Sequence, residues 1–170
     1  MTPVKPILLA VLMACTPFFS ACSKERPQTA GSNAEESAEP QSNAVTRTVI
    51  VDSEAAEKLR GNQGLTLQWI SWDYRGELEV TQRGEVMHLR GEQRQQGGNG
   101  VVRLEGDVAR IDTDNFILNG TLTITDAPDM GRSCKLEGPM TFGITQNRQY
   151  WRLRSFEWCD YLTDYVDIYF

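Results

Sequence analysis

The chain has 170 residues, with 17 lysines and arginines against 23 aspartates and glutamates, and a formal net charge of −6. An acidic chain lacks the clustered basic residues that proteins use to bind nucleic acid, so a nucleic-acid partner is excluded. A leader and a polar linker leave one domain of about 125 residues, which is too short for a multidomain enzyme and long enough for one hydrophobic core.

Residues 1–21 are typical of a signal peptide. Lys5 provides a positive charge, and the apolar stretch from Ile7 to Phe19 is too short to span a bilayer stably. Residues 19–22, Phe-Ser-Ala-Cys, resemble the lipobox of bacterial lipoproteins, in which the cysteine receives a diacylglycerol group and becomes the first mature residue. We therefore expect lipidation at Cys22. The alternative is an ordinary signal-peptidase cut that leaves this cysteine free.

Residues 22–46 join the anchor to the folded domain. After Cys22 this segment contains no aromatic residue, leucine or isoleucine, so it cannot bury enough apolar surface to fold and is predicted to be a disordered tether. Ser23, rather than aspartate, follows the cysteine, which resembles lipoproteins that Gram-negative bacteria sort to the outer membrane. The expected location is therefore the outer membrane, facing the periplasm, with exposure at the cell surface left open.

The remaining cysteines indicate a structural disulfide. Cys15 leaves with the leader and Cys22 carries lipid, so Cys134 and Cys159 form a pair in an oxidising compartment. A disulfide between them is predicted to stabilise the domain by roughly 3 kcal/mol through loop closure. Because the sequence has no Cys-x-x-Cys motif and His88 is its one histidine, we expect neither a redox centre nor a metal site.

Residues 47–170 form the domain, and its first predicted element is a short helix. Ser53 is the candidate N-cap, and Gly61 ends the helix. The rest of the domain alternates apolar and polar residues with a period of two, which predicts antiparallel strands with one buried face. A count of eight or nine strands includes Arg47–Asp52, Leu65–Trp72 and Tyr165–Phe170.

The short connections favour a small all-β fold. We expect an antiparallel up-and-down β-barrel with one short N-terminal helix, and a two-sheet β-sandwich is the alternative. A recurring Leu-x-Gly motif places an inward glycine two residues after an inward leucine. These glycines either end strands or mark sharp coiling, where a larger side chain would meet the far wall of the barrel. The motif occurs at Leu89–Gly91, Leu104–Gly106, Leu118–Gly120 and Leu136–Gly138.

One predicted hairpin joins residues 139–145 to residues 148–156 through a turn at Gln146 and Asn147. In that register Phe142 opposes Trp151, and the shared face is almost wholly apolar. The turn contains no glycine, so a longer loop with a shifted register is the alternative.

Four fragments resemble segments of a group of small bacterial envelope proteins. They are Leu67–Ile70, Gly138–Phe142, Tyr150–Leu153 and Asp164–Phe170. The resemblance spans residues 59–170 and implies a lipocalin-like β-barrel. The group is mostly uncharacterised, so the resemblance implies no activity and no site residues.

The residues that hydrolases need are missing. The sequence has neither Gly-x-Ser-x-Gly nor His-Glu-x-x-His, and a His-dependent triad would have to use His88. The alternation turns His88 away from the apolar face, so we expect an exposed surface histidine. Residues 112–115, Asp-Thr-Asp-Asn, begin like a calcium loop but lack its later glycine and glutamate, and they predict a tight turn. No enzyme activity, catalytic residue, metal or cofactor is expected.

A candidate partner face lies on the polar side of one predicted strand. Three guanidinium groups around a tyrosine can bind carboxylate or phosphate groups, such as those of peptidoglycan or lipopolysaccharide. The alternative is a solvated face balanced by the acidic C-terminal tail, which supplies Glu157, Asp160, Asp164 and Asp167. The candidate residues are Arg148, Tyr150, Arg152 and Arg154.

Trp69, Trp72 and Tyr74 form a second aromatic group. Packing in the core or at the end of the barrel is the favoured role for these residues. The alternative is that they line the mouth of a ligand site.

The sequence therefore predicts a lipid-anchored binding or assembly module without catalytic activity. Its expected partner is an envelope protein, peptidoglycan or lipopolysaccharide. One alternative is an inhibitor of a secreted hydrolase such as lysozyme, because a small acidic β-domain can meet a cationic enzyme electrostatically. Another is a carrier that holds a small ligand inside the barrel.

Overall fold

A computed structural model describes residues 44–170, and the predicted leader, Cys22 and the tether up to residue 43 lie outside the described residues. No helix among the described residues is long and apolar enough to cross a membrane. The elements are β1 (Val49–Ile50), α1 (Ser53–Arg60), β2 (Leu65–Leu67), β3 (Glu77–Arg83), β4 (Val86–Arg94), β5 (Val101–Ile111), β6 (Asn115–Thr125), β7 (Ser133–Gly143), β8 (Tyr150–Leu153) and β9 (Val166–Tyr169).

Eight strands form one antiparallel sheet that nearly closes on itself. Its order is β2-β9-β8-β7-β6-β5-β4-β3, so each strand from β3 to β9 lies beside the next strand of the chain. A bridge between Leu65 and Gly76 brings β2 back to the residue before β3. β1 lies off this path and pairs in parallel with the end of β5. The predicted up-and-down barrel is confirmed, and the two-sheet sandwich is not adopted.

Inward side chains fill the barrel. Phe116 of β6, Phe142 of β7 and Trp151 of β8 are completely buried. The two phenylalanine rings stack with their centroids 4.9 Å apart, and the Trp151 ring meets Phe116 edge-on at 5.7 Å. Burying one large apolar side chain contributes about 1.5–3 kcal/mol, so this interior is the main source of stability.

The helix α1 closes one end of the barrel. Its N-cap is Asp52, whose carboxylate accepts hydrogen bonds from two backbone N–H groups of the first turn at 2.8 and 3.1 Å. The prediction of Ser53 as N-cap is wrong, because the preceding carboxylate reaches those N–H groups and Ser53 is already helical. Gly61 ends the helix as expected. Leu59 is completely buried and packs α1 onto the core.

Four connections form the opposite end of the barrel, which we call the loop end. The predicted strand Leu65–Trp72 stops at Leu67, because the Ile70 N–H turns back to the Leu67 carbonyl at 2.9 Å. The buried Gln93 side chain holds this turn by accepting from the Leu67 N–H at 2.7 Å and donating to the Tyr74 carbonyl at 2.8 Å. The loop end consists of residues 68–76, 95–100, 126–132 and 154–165.

Three of the four Leu-x-Gly glycines allow close approach of neighbouring strands, whereas a Cβ on Gly138 would meet no atom within 4 Å. Gly106 and Gly120 face each other across β5 and β6. A Cβ on Gly120 would lie 2.1 Å from the Glu105 carbonyl oxygen. The expected clash with the far wall is therefore wrong for this pair, because the backbone of the adjacent strand fills the space. At Gly91 a Cβ would lie 2.5 Å from the Glu77 carbonyl oxygen of the adjacent strand β3 and 2.6 Å from the Leu65 and Leu78 side chains, so neighbouring strands fill the space there too.

In the β7–β8 hairpin the inward-facing and outward-facing residues are those predicted, but the residue pairs across the two strands differ from the prediction. Gln146 and Asn147 form the turn, and both have positive φ. Within the strands Phe142 pairs with Leu153, and the predicted pairing of Phe142 with Trp151 is wrong. The register is shifted by two residues, and a shift of two preserves the alternation, so Trp151 still points inward.

Candidate functional site

The candidate partner face has a buried ion pair at its centre. Arg152 on β8 lies opposite Asp167 on β9. The guanidinium Nε and Nη2 each donate a hydrogen bond of 2.7 Å to the Asp167 carboxylate. The Asp167 side chain is completely buried, and the Arg152 side chain is 14% exposed. The Arg152 guanidinium also lies over the Tyr165 ring at 4.0 Å and over the Tyr150 ring at 5.1 Å.

The two charges of this pair depend on each other. Burial raises the pKa of the Asp167 carboxyl, and the hydrogen bonds from Arg152 oppose that rise. The same hydrogen bonds raise the pKa of the Arg152 guanidinium against its own burial. Arg152 cannot leave Asp167 for an external anion without stranding a buried carboxylate. It therefore fixes β8 to β9 and positions the tyrosine rings.

The other two arginines of this face have different surroundings. Arg148 donates a hydrogen bond to the Gln146 side chain at 2.8 Å and lies 5.7 Å from the Tyr150 ring. Arg154 is exposed, and it makes no ion pair within residues 44–170. Of the four tail acids, Asp167 supplies the balancing charge for this face. A ligand role for the face stays a prediction that depends on Arg148 and Arg154.

In the second aromatic group, Trp69 and Tyr74 pack against the barrel and Trp72 is partly exposed. The Trp69 Nε1–H donates to the Asp164 carboxylate at 3.0 Å, and the Tyr74 hydroxyl donates to the Arg94 carbonyl at 3.0 Å. These two residues hold loop 68–76 against the barrel, as the packing interpretation predicts. Trp72 differs because 49% of it is exposed.

A second buried arginine ties the loop end together. Arg132 donates two hydrogen bonds to Asp160, both of 2.8 Å, and two to Asp164, of 3.0 and 2.9 Å. Asp164 is completely buried, and the Arg132 side chain is 5% exposed. The bonds to Asp160 and Asp164 raise the pKa of Arg132. The predicted disulfide between Cys134 and Cys159 is confirmed, and it fixes the same loop to the start of β7.

The loop end presents three large apolar side chains to solvent. Trp72 on loop 68–76 is 49% exposed, Met130 on loop 126–132 is 84% exposed, and Tyr161 on loop 154–165 is 101% exposed. The other exposed large apolar side chains among residues 44–170 are consecutive valines and an isoleucine at positions 49–51, at the opposite end of the barrel. Both ends of the barrel therefore expose three large apolar side chains, and those of the loop end include two aromatic residues.

A groove of about 580 Å³ lies on the outer surface of β3, β4 and β5. Glu92 pairs there with Arg103 at 2.6 Å, and Arg94 Nη2 donates to the same carboxylate at 2.9 Å. Exposed pairs of this kind contribute about 0–1 kcal/mol and leave the charges accessible. Four arginines and four glutamates balance, so the groove selects neither sign of charge. They are Arg75, Arg90, Arg94, Arg103, Glu77, Glu79, Glu92 and Glu105.

The folded part of the chain is similar to known bacterial sequences. Residues 47–170 match the PM1083 family. The chain belongs to the PM1083 family. It is 36% identical over 120 residues to the uncharacterized protein PM1083 of Pasteurella multocida strain Pm70, which covers 69% of this chain and 77% of the relative. No solved structure matches the chain.

Membership of the PM1083 family confirms the resemblance to an uncharacterised group of bacterial proteins. The names of the family and of its Pasteurella relative state no activity or partner. The lipobox, the envelope location and the lipocalin-like pattern stay predictions from the sequence.

His88 of this PM1083-family barrel is buried, so the expectation of an exposed histidine is wrong. Its side chain points away from the interior, as the alternation predicts, but the residue is only 6% exposed. Its Nδ1 lies 2.7 Å from the Asp107 carboxylate on β5, and its Nε2 lies 3.6 Å from Glu105. Alternation predicts the side of the sheet but not how deeply neighbouring side chains cover a residue there.

Sequence patterns did not reveal the PM1083-family loop end as a candidate site. Arg132, Met130 and Tyr161 lie in segments without strand alternation, and no motif marks them. One signal was present: Tyr161 follows a predicted disulfide cysteine by two residues. An aromatic residue in an irregular segment beside a disulfide indicates a side chain that is exposed to solvent and available for binding, not one that packs in the core.

Proposed function

We propose that this protein is a lipid-anchored binding or assembly module of the bacterial outer membrane, facing the periplasm and performing no catalysis. The observation that carries the proposal is the filled interior of the barrel. Completely buried aromatic side chains occupy it, α1 covers one end, and the loop end folds over the other. A partner therefore has to bind on the outside.

The outer surface offers room for such binding. Two depressions in the described part of the chain, of about 580 and 230 Å³, open to the outside. A small-ligand carrier instead needs an interior pocket of at least roughly 300 Å³. The packing thus argues against the carrier alternative and favours recognition by exposed side chains.

The route of the chain fits an anchored module. It enters the barrel at β1, where Val49 pairs with Arg110 near the end of β5. This is the end that α1 covers, opposite the loop end. A lipid anchor upstream of β1 would therefore be joined to the domain at this end.

Site-specific photocrosslinking in intact cells tests the binding role. A photoreactive phenylalanine is placed at Met130 on the loop end, at Arg103 in the groove and at Arg154 on the candidate partner face. The same residue at Glu137, on the outer face of β7, is the control. We expect a discrete adduct from at least one of the first three positions and none from the control. The absence of a discrete adduct at all three would contradict the proposed function.

The anchor has its own test. Cys22→Ala removes the thiol that would carry the diacylglycerol group, and several acyl chains at roughly 0.8 kcal/mol per buried CH₂ make membrane attachment effectively permanent. We expect the wild-type protein in the outer-membrane fraction and the variant in the soluble periplasmic fraction. Unchanged membrane fractionation of the variant would contradict lipidation at Cys22.

A further inference from the structure

Tyr161 stands out because it is completely exposed while its surroundings are fixed. The preceding Asp160 is held by Arg132 through two hydrogen bonds of 2.8 Å, and Cys159 is held by the disulfide. On the other side, the Thr163 carbonyl accepts a hydrogen bond from Gln68 at 2.8 Å. Binding to a loop usually costs conformational entropy, because the loop becomes ordered. The segment around Tyr161 is already held in place, so a partner that bound Tyr161 would lose little entropy in this way.

The backbone of Asp160 and Tyr161 adopts a left-handed conformation that is unfavourable for these residue types. Asp160 has φ +44 and Tyr161 has φ +61. A bulky residue such as tyrosine rarely adopts this left-handed region, where asparagine and glycine are favoured. Strained positions of this kind persist where the surrounding structure determines them, and they cluster at sites that bind. The Tyr161 side chain at this position is completely exposed.

Hydrogen bonds join three loops around this residue. Gln68 and Trp69 connect loop 68–76 to loop 154–165, and Arg132 connects loop 126–132 to the same loop. Met130 and Trp72 are thus exposed on the two loops that flank Tyr161. Tyrosine and tryptophan are the residue types that most often dominate the energy of protein interfaces.

The charge of this tip is negative. Loops 126–132 and 154–165 carry acidic side chains at Asp126, Asp129, Glu157 and Asp160 in addition to the buried Asp164. The same loops carry two arginines, Arg154 and Arg132, so the acids remain in excess. Arg132 is committed to Asp160 and Asp164. Asp129 and Glu157 are exposed and make no ion pair within residues 44–170. Opposite charge steers association and suppresses wrong partners, so this surface fits a basic one.

We propose that the loop end docks onto a cationic protein, with Tyr161 as the central anchor and the exposed acids Asp129 and Glu157 at the rim. This inference rests on the proposed binding role and names the surface and the class of partner. A secreted cationic hydrolase is one member of that class.

The test uses the full-length protein in cells, with the photoreactive phenylalanine at Met130. Tyr161→Asn removes the ring and installs a residue that the left-handed backbone accepts. We expect crosslinking to fall at least about fivefold, as for the loss of an interface hot spot, while the melting temperature stays equal or rises. A merely structural tyrosine would instead lower the melting temperature. Crosslinking that persists in this variant would overturn the proposal.

A second variant tests the class of partner. Asp129→Asn with Glu157→Gln removes two exposed acids from the tip, and Glu85→Gln with Glu137→Gln removes two exposed acids elsewhere. We expect the first pair to reduce crosslinking at least about threefold, with added salt reducing it further, and the control pair to have no effect. The adduct identified by mass spectrometry should be a basic protein. An acidic protein, a lipid or a polysaccharide in the adduct would overturn the proposal.

The positions of the crosslinker separate this inference from the proposed function. An adduct at Arg103 without one at Met130 would overturn docking at the loop end and leave a binding module intact. The absence of adducts at all three positions would overturn both.

Discussion

Replacing Arg152 with methionine is expected to lower the free energy of unfolding by about 3–5 kcal/mol. The substitution keeps most of the apolar stem but removes the guanidinium that donates two 2.7 Å hydrogen bonds to Asp167. The Asp167 side chain is completely buried, so its charge would be left without a partner. Urea denaturation followed by tryptophan fluorescence measures the change.

Two control variants make this result specific. Arg148→Ser with Arg154→Ser should change the stability by less than about 0.5 kcal/mol, because neither side chain pairs with a buried acid. Arg152→Met with Asp167→Leu should recover most of the loss, since replacing both partners of a buried pair by apolar residues is often nearly neutral. A small effect of Arg152→Met alone would mean that this arginine is free to bind a ligand.

Replacing Arg132 with methionine is expected to have an effect of similar size, about 3–5 kcal/mol, with a different consequence. The variant strands Asp164, which is completely buried, and releases Asp160 beside Tyr161. Loop 154–165 would then be held by the disulfide and by Gln68 but no longer by the ion pairs of Arg132 with Asp160 and Asp164. We expect faster amide hydrogen exchange in this loop while the exchange of β5 and β6 stays slow.

The pH dependence gives a second signature of Arg132. Its guanidinium holds the pKa of the Asp160 carboxyl below the usual 3.8. A lowered pKa contributes stability at pH values above 3.8 that is lost as the pH falls through the folded-state pKa. The difference in stability between wild type and Arg132→Met should therefore narrow below about pH 4. A difference that stays constant down to pH 2 would contradict the role given to this ion pair.

The sequence predicts the barrel well because two signals agree. Period-two alternation fixes which side chains of β3 to β8 face the interior, and short connections allow only neighbouring strands to pair. Trp151 and Phe142 point inward in the structure although their predicted pairing is shifted by two residues. The disulfide follows from cysteine number and compartment. The strand faces and the pairing order follow from local sequence patterns, and the disulfide follows from the number of cysteines.

The interactions that form the candidate sites depend on tertiary contacts and on strand register, and they are not visible in the sequence. Arg152 meets Asp167 because β8 and β9 pair in a register that places these residues opposite each other, and alternation alone left four acids as candidate partners. Arg132 meets Asp160 and Asp164 through two irregular loops. His88 is buried by neighbours whose identity depends on the register. Such contacts are set by tertiary structure, where no periodic signal applies.

The central claim is that the barrel is a filled scaffold whose partners bind outside, and a titration with a lipophilic fluorescent probe tests it most directly. N-phenyl-1-naphthylamine fluoresces when it enters an apolar cavity, and it is added to the folded Cys22→Ala variant, which carries no lipid, in the absence of micelles. We predict no saturable increase in fluorescence, because Phe116, Phe142 and Trp151 occupy the interior. A saturable increase in fluorescence that corresponds to one probe molecule per chain would contradict the account.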